Sequence, residues 1–448
     1  MSRREHVAIV GAGLVGSLLG VLLRKRGFEV SIFEKRGDLR DIQVKNGRSI
    51  NLALSDRGIR ALRESGIYED LKTELVPMNG RLMHSRGGEL TFQPYGKEGQ
   101  HINSVSRLNL NRKLIDIGER AGISYYFDHR CVDVNPRRTT VYFGYEGGEI
   151  KREVDVIIGA DGAFSEVRKC ILEEEKQNFT KEFLDYGYKE LSIPPGSDGD
   201  FQFEPNYLHI WPREQYMLIA LPNPDKSFTC TLFLPYEGEV SFESLKSNQD
   251  VLDFFAKHFP DAQGRMPHLL EEFNRNPVSS LVTIHSYPWH SHRTLVIGDA
   301  SHAIVPFYGQ GMNAGFEDCR ILMEIADAYA YDWETVFKVF EQSRKPDADA
   351  IASLALSNFI EMREKVRDEG FLERKKIEAL LHEQYPNDWI PLYTMVTFSH
   401  IPYSEAKRLG QLQDQVFRKA RAEGYTDDLP RMVAEFNALK KGAETVPQ

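Results

Sequence analysis

Short apolar runs near the N-terminus predict the start of an α/β fold. The run His6–Val10 is apolar and β-branched, and glycines follow it at positions 11, 13 and 16. Residues 18–26 have a helical pattern, and a second apolar run, Glu29–Phe33, leads directly into Glu34. A strand, a glycine turn, a helix and a second strand that ends in an acid predict a βαβ unit.

The three glycines form a G-x-G-x-x-G motif, and its context makes the motif specific for a dinucleotide. Gly11 permits a tight turn, Gly13 lets the backbone approach a pyrophosphate, and Gly16 lets the helix pack on the strand. Glu34 can accept hydrogen bonds from a ribose. The chain shows one such unit, so a second dinucleotide is expected to bind only transiently, on the surface of this domain.

A second strand–loop–helix pattern lies near residue 300. The apolar run 294–297 leads into Gly298 and Asp299, and a helix is predicted to begin near Gly311. An acid at a strand end can bind a polyol, and a helix N-terminus favours a delocalised anion. By itself this pattern fits an Asp-capped helix as well as a flavin site. Together with the N-terminal motif it favours FAD.

The remaining patterns predict a second sheet and a helical end. Residues 207–211, 216–220 and 228–233 are short apolar runs between polar turns, and they predict antiparallel strands. Residues 153–158 predict one more strand of the first unit. After Asp332 apolar positions recur every three or four residues, with a break near Gly424.

The predicted fold class is therefore α/β, with a Rossmann-like FAD-binding domain, an inserted antiparallel-sheet domain and a helical C-terminal region. The FAD-binding domain is discontinuous and the sheet domain is expected to bind the substrate. The predicted boundaries are 1–70, 98–176 and 286–331 for the FAD-binding domain, 71–97 and 177–285 for the sheet domain, and 332–448 for the helical region.

Composition excludes several classes of function. The 448-residue chain is 41% hydrophobic and has a net charge of −10, which argues against a nucleic-acid or anionic-membrane partner. The four cysteines are scattered, a distribution that fits neither a disulfide framework nor a zinc site. No apolar run reaches the length of a membrane span. We expect a soluble, cytoplasmic protein without a membrane anchor.

The order of the glycine motif, Asp161-Gly162 and Gly298-Asp299 resembles the single-component FAD-dependent aromatic hydroxylases. Six strings extend the likeness over all three regions, from about residue 5 to about residue 410, and are similar to the kynurenine 3-monooxygenase family. They are residues 48–55, 207–212, 226–233, 302–306, 309–319 and 391–398.

This resemblance implies noncovalent FAD, with NADPH and O₂ as co-substrates. The implied reaction hydroxylates L-kynurenine to 3-hydroxy-L-kynurenine through a flavin C4a-hydroperoxide, in tryptophan catabolism towards quinolinate and NAD. No catalytic side chain and no metal is implied, because the flavin carries the chemistry. Two alternatives stay open, namely an FAD-dependent hydroxylase or reductase of another aryl acid or aryl amino acid, and a non-catalytic flavin-binding module.

The resemblance also implies cofactor contacts along the chain. Asp299 is expected at the ribitol and the start of the Gly311 helix at the isoalloxazine, while the chain around Cys131 is expected to contribute backbone contacts near the adenine. The implied cofactor-binding residues are Gly11, Gly13, Val15, Gly16, Glu34, Lys35, Arg36, Ala53, Arg107, Cys131, Asp299, Gly311, Met312 and Asn313.

Substrate contacts are implied in the same way. Arg81 matches the carboxylate-binding arginine of the family and Tyr95 its tyrosine partner, since a guanidinium can give a carboxylate two parallel hydrogen bonds. From the residue types alone, Arg81 is more often a solvated charge than a ligand-binding group, and for His302 a structural hydrogen bond is favoured over a catalytic role. The implied substrate-binding residues are Arg81, Tyr95, Asn358, Tyr393, Phe307, Tyr308 and Gln310.

Overall fold

The computed structural model describes residues 5–41, 51–364 and 369–444. The first three residues of the string 48–55 and the last four residues of the predicted helical region lie outside this part of the chain.

The described residues contain nineteen strands. They are β1 (His6–Val10), β2 (Glu29–Phe33), β3 (Asn51–Leu54), β4 (Leu75–Met78), β5 (Gly80–His84), β6 (Leu90–Pro94), β7 (Ile102–Ser106), β8 (Ser124–Tyr126), β9 (Arg130–Asn135), β10 (Thr140–Tyr145), β11 (Gly148–Glu153), β12 (Val156–Gly159), β13 (Thr180–Ile193), β14 (Tyr207–Arg213), β15 (Tyr216–Pro222), β16 (Phe228–Pro235), β17 (Ser279–His285), β18 (His290–Ser291) and β19 (Thr294–Val296).

The same part of the chain contains fifteen α-helices. They are α1 (Leu14–Lys25), α2 (Asp56–Glu64), α3 (Tyr68–Leu71), α4 (Arg107–Arg120), α5 (Glu166–Glu174), α6 (Asn248–His258), α7 (Pro260–Gln263), α8 (Leu269–Arg275), α9 (Asp299–His302), α10 (Gly311–Ala328), α11 (Trp333–Glu364), α12 (Glu369–Gln384), α13 (Leu392–Thr397), α14 (Tyr403–Glu423) and α15 (Leu429–Glu444).

A six-stranded sheet forms the nucleotide-binding core, in the order β18-β19-β12-β1-β2-β8. The pairs from β19 to β8 are parallel, and the last four residues of both β1 and β2 are buried. A strand that is covered on both faces needs a continuous apolar run, and such runs are what predicted β1 and β2 from the sequence.

One predicted strand was displaced. Residues 153–158 were expected to form a single strand, but β11 ends at Glu153 and β12 begins at Val156. Between them Asp155 turns inward, and its Oδ2 accepts a hydrogen bond of 2.8 Å from the backbone N–H of His6. This bond fixes the position at which β12 begins to pair with β1.

A seven-stranded sheet in the order β17-β13-β16-β15-β14-β5-β6 forms the second layer. Its pairs are antiparallel, as predicted, except that β14 and β5 run parallel. Side chains alternate between its faces. Leu218 and Leu232 pack with the helices α6 to α8, while Met217 and Phe233 pack on the opposite face.

The described residues form two further, three-stranded sheets. Strands β3, β7 and β4 form one, and β11, β10 and β9 form the other. Although β4 lies within the residues 71–97 assigned to the sheet domain, it pairs with β7, which belongs to the residues assigned to the FAD-binding domain. The two layers therefore meet between β4 and β5.

Helices form the C-terminal region, as the sequence predicted. Helix α14 ends at Glu423, and Gly424 follows with φ of 72°, the left-handed conformation that commonly terminates helices. This confirms the predicted break. Within the described ranges, the structure contains no helix with the length and apolarity needed to cross a membrane.

Candidate functional site

A cavity of about 300 Å³ runs between the two layers. One end lies at Gly13, at the start of α1, and the other lies at Arg81 of β5 and Tyr393 of α13. Asp299, Gly311 and other residues of the predicted cofactor site line the space between them. The cavity thus connects the predicted cofactor-binding and substrate-binding residues.

The glycine turn provides an anion site at the first end. Gly13 precedes α1, with no side-chain cap and no acid in the first helical turn, so the backbone N–H groups there suit a pyrophosphate. A Cβ on Gly13 would meet no protein atom within 4 Å, whereas one on Gly16 would lie 2.1 Å from the carbonyl oxygen of Gly11. Gly13 therefore faces open space, and Gly16 faces the turn.

The acid at the end of β2 is bound to the same turn. Glu34 accepts hydrogen bonds of 3.0 Å from the backbone N–H groups of Ala12 and Arg36, one on each carboxylate oxygen. These contacts hold the carboxylate beside the glycine turn. Lys35 and Arg36 are exposed and do not line the cavity.

Val15 joins the two halves of the predicted FAD site. Gly298 has φ of 62°, and a Cβ there would lie 3.0 Å from Cγ2 of Val15. Since no larger side chain fits, the end of β19 packs directly on the first turn of α1. Asp299 follows as the first residue of α9 and lines the cavity.

The start of α10 forms the middle of the cavity wall. Gly311 and Met312 line it, as do Ala53 of β3 and Arg107 of α4. No side chain caps α10 and its first turn contains no acid, so its N-terminus is open to a negatively charged group.

Asn313 was expected at the isoalloxazine, but its side chain is turned to the protein. It is fully buried, and its Oδ1 accepts from the backbone N–H of Ser55 at 2.9 Å. Its Nδ2 donates to the carbonyls of Ala53 and Gly309, both at 2.8 Å. The bonds to Ala53 and Ser55 fasten α10 to the β3 segment, and the bond to Gly309 ties α10 to the loop before it. The contact of Asn313 with the isoalloxazine stays a prediction.

Gln310 and Cys131 also lie outside the cavity lining. The hydroxyl of Tyr403 donates to Oε1 of Gln310 at 2.9 Å, so this amide points towards α14. Cys131 is buried in β9, and burial raises the pKa of its thiol. Its backbone contact with the cofactor stays a prediction.

Three tyrosines and one arginine form the other end of the cavity. Tyr393 stacks on Tyr95 at 5.6 Å and on Tyr308 at 5.7 Å between ring centres. The guanidinium carbon of Arg81 lies 5.6 Å from the centre of the Tyr95 ring and 5.1 Å from that of Tyr393. Burial raises the pKa of all three tyrosines, which keeps their hydroxyls protonated.

Two polar atoms of these cavity-lining residues lack hydrogen bonds within the described ranges. The Nε of Arg81 and the hydroxyl of Tyr95 are buried, and within the part of the chain that the structure describes neither atom has a hydrogen-bond partner. Buried polar groups are rarely left in this state, so the arrangement fits an anionic ligand that accepts from both.

Phe307 lines the cavity beside this group and stacks on Phe359 of α11 at 4.2 Å between ring centres. Asn358, expected to contact substrate, lies outside the lining. Its Nδ2 donates to the carbonyl of Phe307 at 2.6 Å, which fixes the aromatic loop. Its contact with the substrate stays a prediction.

Sequence reasoning did not find a buried ionic cluster behind the cavity. Arg344 of α11 lies 2.8 Å from Asp318 and 3.1 Å from Glu317, both on α10. Arg57 of α2 also belongs to this cluster, through a 2.8 Å bond to Glu317. Charged residues on a predicted helix are usually assigned to its solvent-exposed face, so no signal in the sequence marked these four residues as buried.

His302 belongs to the same cluster. Its Nε2 lies 2.6 Å from Oδ2 of Asp318, in agreement with the structural hydrogen bond expected for it. Arg168 donates to the carbonyls of Ala300 and Ala163 and so joins α5 to α9. Both side chains support the turn that carries Asp299.

FAD fits the residues present. Gly13 at the N-terminus of α1, Asp299, and Gly311 at the N-terminus of α10 all line one cavity, and the Glu34 carboxylate is hydrogen-bonded to the glycine turn beside it. The fold and this site define an FAD-dependent monooxygenase.

Comparisons with known proteins agree. The FAD binding domain family matches residues 4–351. Kynurenine 3-monooxygenase from Flavobacterium psychrophilum is 49% identical over 94% of both chains, and that from Sus scrofa is 43% identical over 93% of this chain and 89% of the relative. The chain belongs to the kynurenine 3-monooxygenase family.

Solved structures show the same fold. A tetrameric 2-methyl-3-hydroxypyridine-5-carboxylic acid oxygenase has a TM-score of 0.69 at 17% identity and covers 82% of this chain and 94% of its own. Klebsiella pneumoniae HpxO in complex with FAD and uric acid has a TM-score of 0.68 at 18% identity, with 86% and 95% covered.

Proposed function

We propose that the protein hydroxylates L-kynurenine at ring position 3, in tryptophan catabolism. The balanced reaction consumes L-kynurenine, NADPH, a proton and O₂, and yields 3-hydroxy-L-kynurenine, NADP⁺ and water. The observation that supports this function best concerns two residues of the same cavity. Among the described residues, the buried Nε of Arg81 and the buried hydroxyl of Tyr95 have no hydrogen-bond partner.

Arg81 is proposed to bind the α-carboxylate of the substrate. A guanidinium is charged at every physiological pH and gives two parallel hydrogen bonds to a carboxylate. The rings of Tyr95 and Tyr393 lie within 6 Å of its charge, so they hold it in place without neutralising it. Their protonated hydroxyls are available as further donors.

The aryl ring of the substrate is proposed to lie between this group and the start of α10. Phe307 and Tyr308 line the cavity there, together with Met217 and Phe233 from the inner face of the large sheet. These apolar side chains exclude water from the reacting ring carbon. The substrate's own amino group activates that carbon, so no strong protein base is required.

The cofactor residues are proposed to position FAD along the same cavity. Gly13 and the α1 N-terminus would hold the pyrophosphate, Glu34 the ribose and Asp299 the ribitol. When bound, FAD supplies hydride acceptance from NADPH and activation of O₂. The N-terminus of α10 at Gly311 would stabilise negative charge on the adjacent end of the flavin.

The test measures NADPH and O₂ consumption by the purified protein with L-kynurenine, and identifies the product by mass and ring position. We expect the purified protein to be yellow and to release intact FAD on denaturation. We also expect nearly one molecule of 3-hydroxy-L-kynurenine to form for each NADPH consumed. A panel of aryl acids without the amino-acid group serves as the comparison. Colourless protein that fails to take up FAD, or a better substrate within the panel, would contradict the proposal.

A further inference from the structure

Arg57 is a fully buried cation behind the cavity. Its Nη1 donates to Oε1 of Glu317 on α10 at 2.8 Å. Its Nε donates to the carbonyl of Val396 at 2.9 Å, and its Nη2 donates to the carbonyls of Met395 and Ile401. Two of these three carbonyls belong to α13 and the third follows it closely. One side chain thus binds both α10 and α13.

A second path leads from Arg57 to the start of α10. The ring of Tyr403 covers the guanidinium, with its centre 4.0 Å from the guanidinium carbon. The Tyr403 hydroxyl donates to Gln310, the residue directly before Gly311. Gly311 lines the cavity where the flavin is proposed to lie. Arg57 therefore contacts groups that lead to the start of α10 and to α13.

Close packing of α2 on α10 fixes the position of Arg57. A Cβ on Gly58 would lie 2.5 Å from Oδ1 of Asn313, so only glycine lets the two helices approach this far. Asn313 also accepts from the backbone N–H of Ser55, directly before α2. The backbone next to Arg57 is thus held against α10 on both sides.

Helix α13 depends on such external contacts. It has six residues, and its N-cap, Pro391, provides no side-chain cap. A helix this short satisfies few of its own carbonyls, and a basic side chain at its C-terminal end can satisfy the rest. Its second residue is Tyr393, the central ring of the tyrosine stack.

We propose that Arg57 is a positioning residue that fixes α13 against α10 and thereby holds Tyr393 in place for the substrate carboxylate. This role rests on the proposed function. A buried ion pair by itself contributes little net stability compared with apolar packing. The Arg57 guanidinium also donates to three carbonyls of the α13 segment. These bonds fix where α13 lies, which apolar packing alone would not do.

The test compares three variants of the full-length, FAD-loaded protein. Arg57→Lys keeps the charge beside Glu317 but loses the planar fork that reaches the carbonyls. Tyr403→Phe keeps the ring over the guanidinium and loses only the bond to Gln310. Arg60→Gln, which breaks an exposed pair with Glu64 on the same helix, is the matched control. The measurements are dissociation constants for FAD and L-kynurenine, hydrogen exchange of residues 392–401, and product formed per NADPH consumed.

In Arg57→Lys we expect the dissociation constant for L-kynurenine to rise about tenfold, with faster hydrogen exchange in residues 392–401 and less product per NADPH. The dissociation constant for FAD should stay within about twofold of the wild type, since cofactor contacts remain. Tyr403→Phe should show the opposite pattern, with weaker FAD binding and nearly unchanged affinity for L-kynurenine. Arg60→Gln should match the wild type throughout.

Two results would overturn the role of Arg57. One is unchanged exchange in residues 392–401 and unchanged L-kynurenine affinity in Arg57→Lys. The other is evidence of a general packing role, seen either as a parallel loss of FAD and L-kynurenine binding in both variants or as loss of the fold in Arg57→Lys. Hydrogen exchange without substrate tests the α13 contact independently. A wild-type protein that does not hydroxylate L-kynurenine would contradict the proposed function instead.

Discussion

The guanidinium carbon of Arg81 lies 5.1 Å from the centre of the Tyr393 ring. Arg81 belongs to β5 of the large sheet, and Tyr393 belongs to α13 among the C-terminal helices. The proposed carboxylate site is therefore assembled from two regions of the fold. Its affinity depends on how the sheet and the helices pack, as well as on the two side chains themselves.

Replacing Arg81 by alanine should mainly weaken substrate binding. Loss of a charge-assisted contact costs about 1.5–3 kcal/mol, which corresponds to a roughly 10- to 150-fold higher KM for L-kynurenine. Steady-state kinetics at saturating NADPH measure this effect. Arg86→Ala is the matched control, because Arg86 is exposed in the turn after β5, and 3.8 Å from Glu214. A wild-type KM in Arg81→Ala would remove Arg81 from the site.

Gly13→Ala should weaken FAD binding without unfolding the protein. Gly13 has φ of −73°, which alanine adopts readily, and its Cβ would occupy only the open space at the α1 N-terminus. We expect an affinity loss of at least about tenfold, the equivalent of one charge-assisted hydrogen bond. Fluorescence titration with FAD and thermal unfolding of the FAD-free protein measure the two effects.

Gly16→Ala provides the contrast on the same turn. Its Cβ would lie 2.1 Å from the carbonyl oxygen of Gly11, so the FAD-free protein itself should unfold at a lower temperature. Equal FAD affinity in Gly13→Ala and the wild type would show that the pyrophosphate lies elsewhere.

Asn313→Ala should destabilise the FAD-free protein. The mutation removes the partner of the buried backbone N–H of Ser55 and of the part-buried carbonyls of Ala53 and Gly309, at a cost of about 1–3 kcal/mol for each group that water does not reach. Denaturant unfolding measures the change. Asn274→Ala removes an exposed amide contact with Asn248 and should stay within about 0.5 kcal/mol of the wild type. A similarly small change in Asn313→Ala would contradict the structural role.

The His302–Asp318 pair should make stability depend on pH. Burial opposes a charge on His302, but the Asp318 carboxylate outweighs burial and raises the pKa of His302 above its ordinary value of 6.5. A raised pKa in the folded state stabilises the protein fully below pH 6.5, and this contribution is lost as pH rises through the folded pKa. Burial likewise raises the pKa of Asp318, but His302 and Arg344 outweigh it and lower that pKa below 3.8.

Thermal unfolding from about pH 5.5 to about pH 9 tests this dependence, since Asp318 stays ionised throughout. The unfolding temperature of the wild type should fall as the pH rises. The part of this fall that comes from the His302–Asp318 pair should be absent in His302→Gln. His268→Gln, which changes an exposed histidine near Glu271, should retain the wild-type profile. Identical profiles for His302→Gln and the wild type would show that the pair does not titrate in this range.

The sequence by itself determined the local features of this protein. The bounds of β1 and β2, the glycine turn, the start of α10 and the break at Gly424 all follow from short-range rules. Apolar periodicity and glycine conformation act within a few residues, so a single pattern is enough to read them. The family resemblance added the candidate site residues, but gave no geometry for them.

Tertiary structure alone decided which groups meet. The parallel pairing of β5 with β14, the inward turn of Asn313 and the burial of Arg57 depend on segments far apart in the chain. A charged or polar residue on a helix has the same local pattern whether it faces solvent or a buried partner. Its environment is set when distant elements pack, and the site at Arg81 and Tyr393 forms only at that stage.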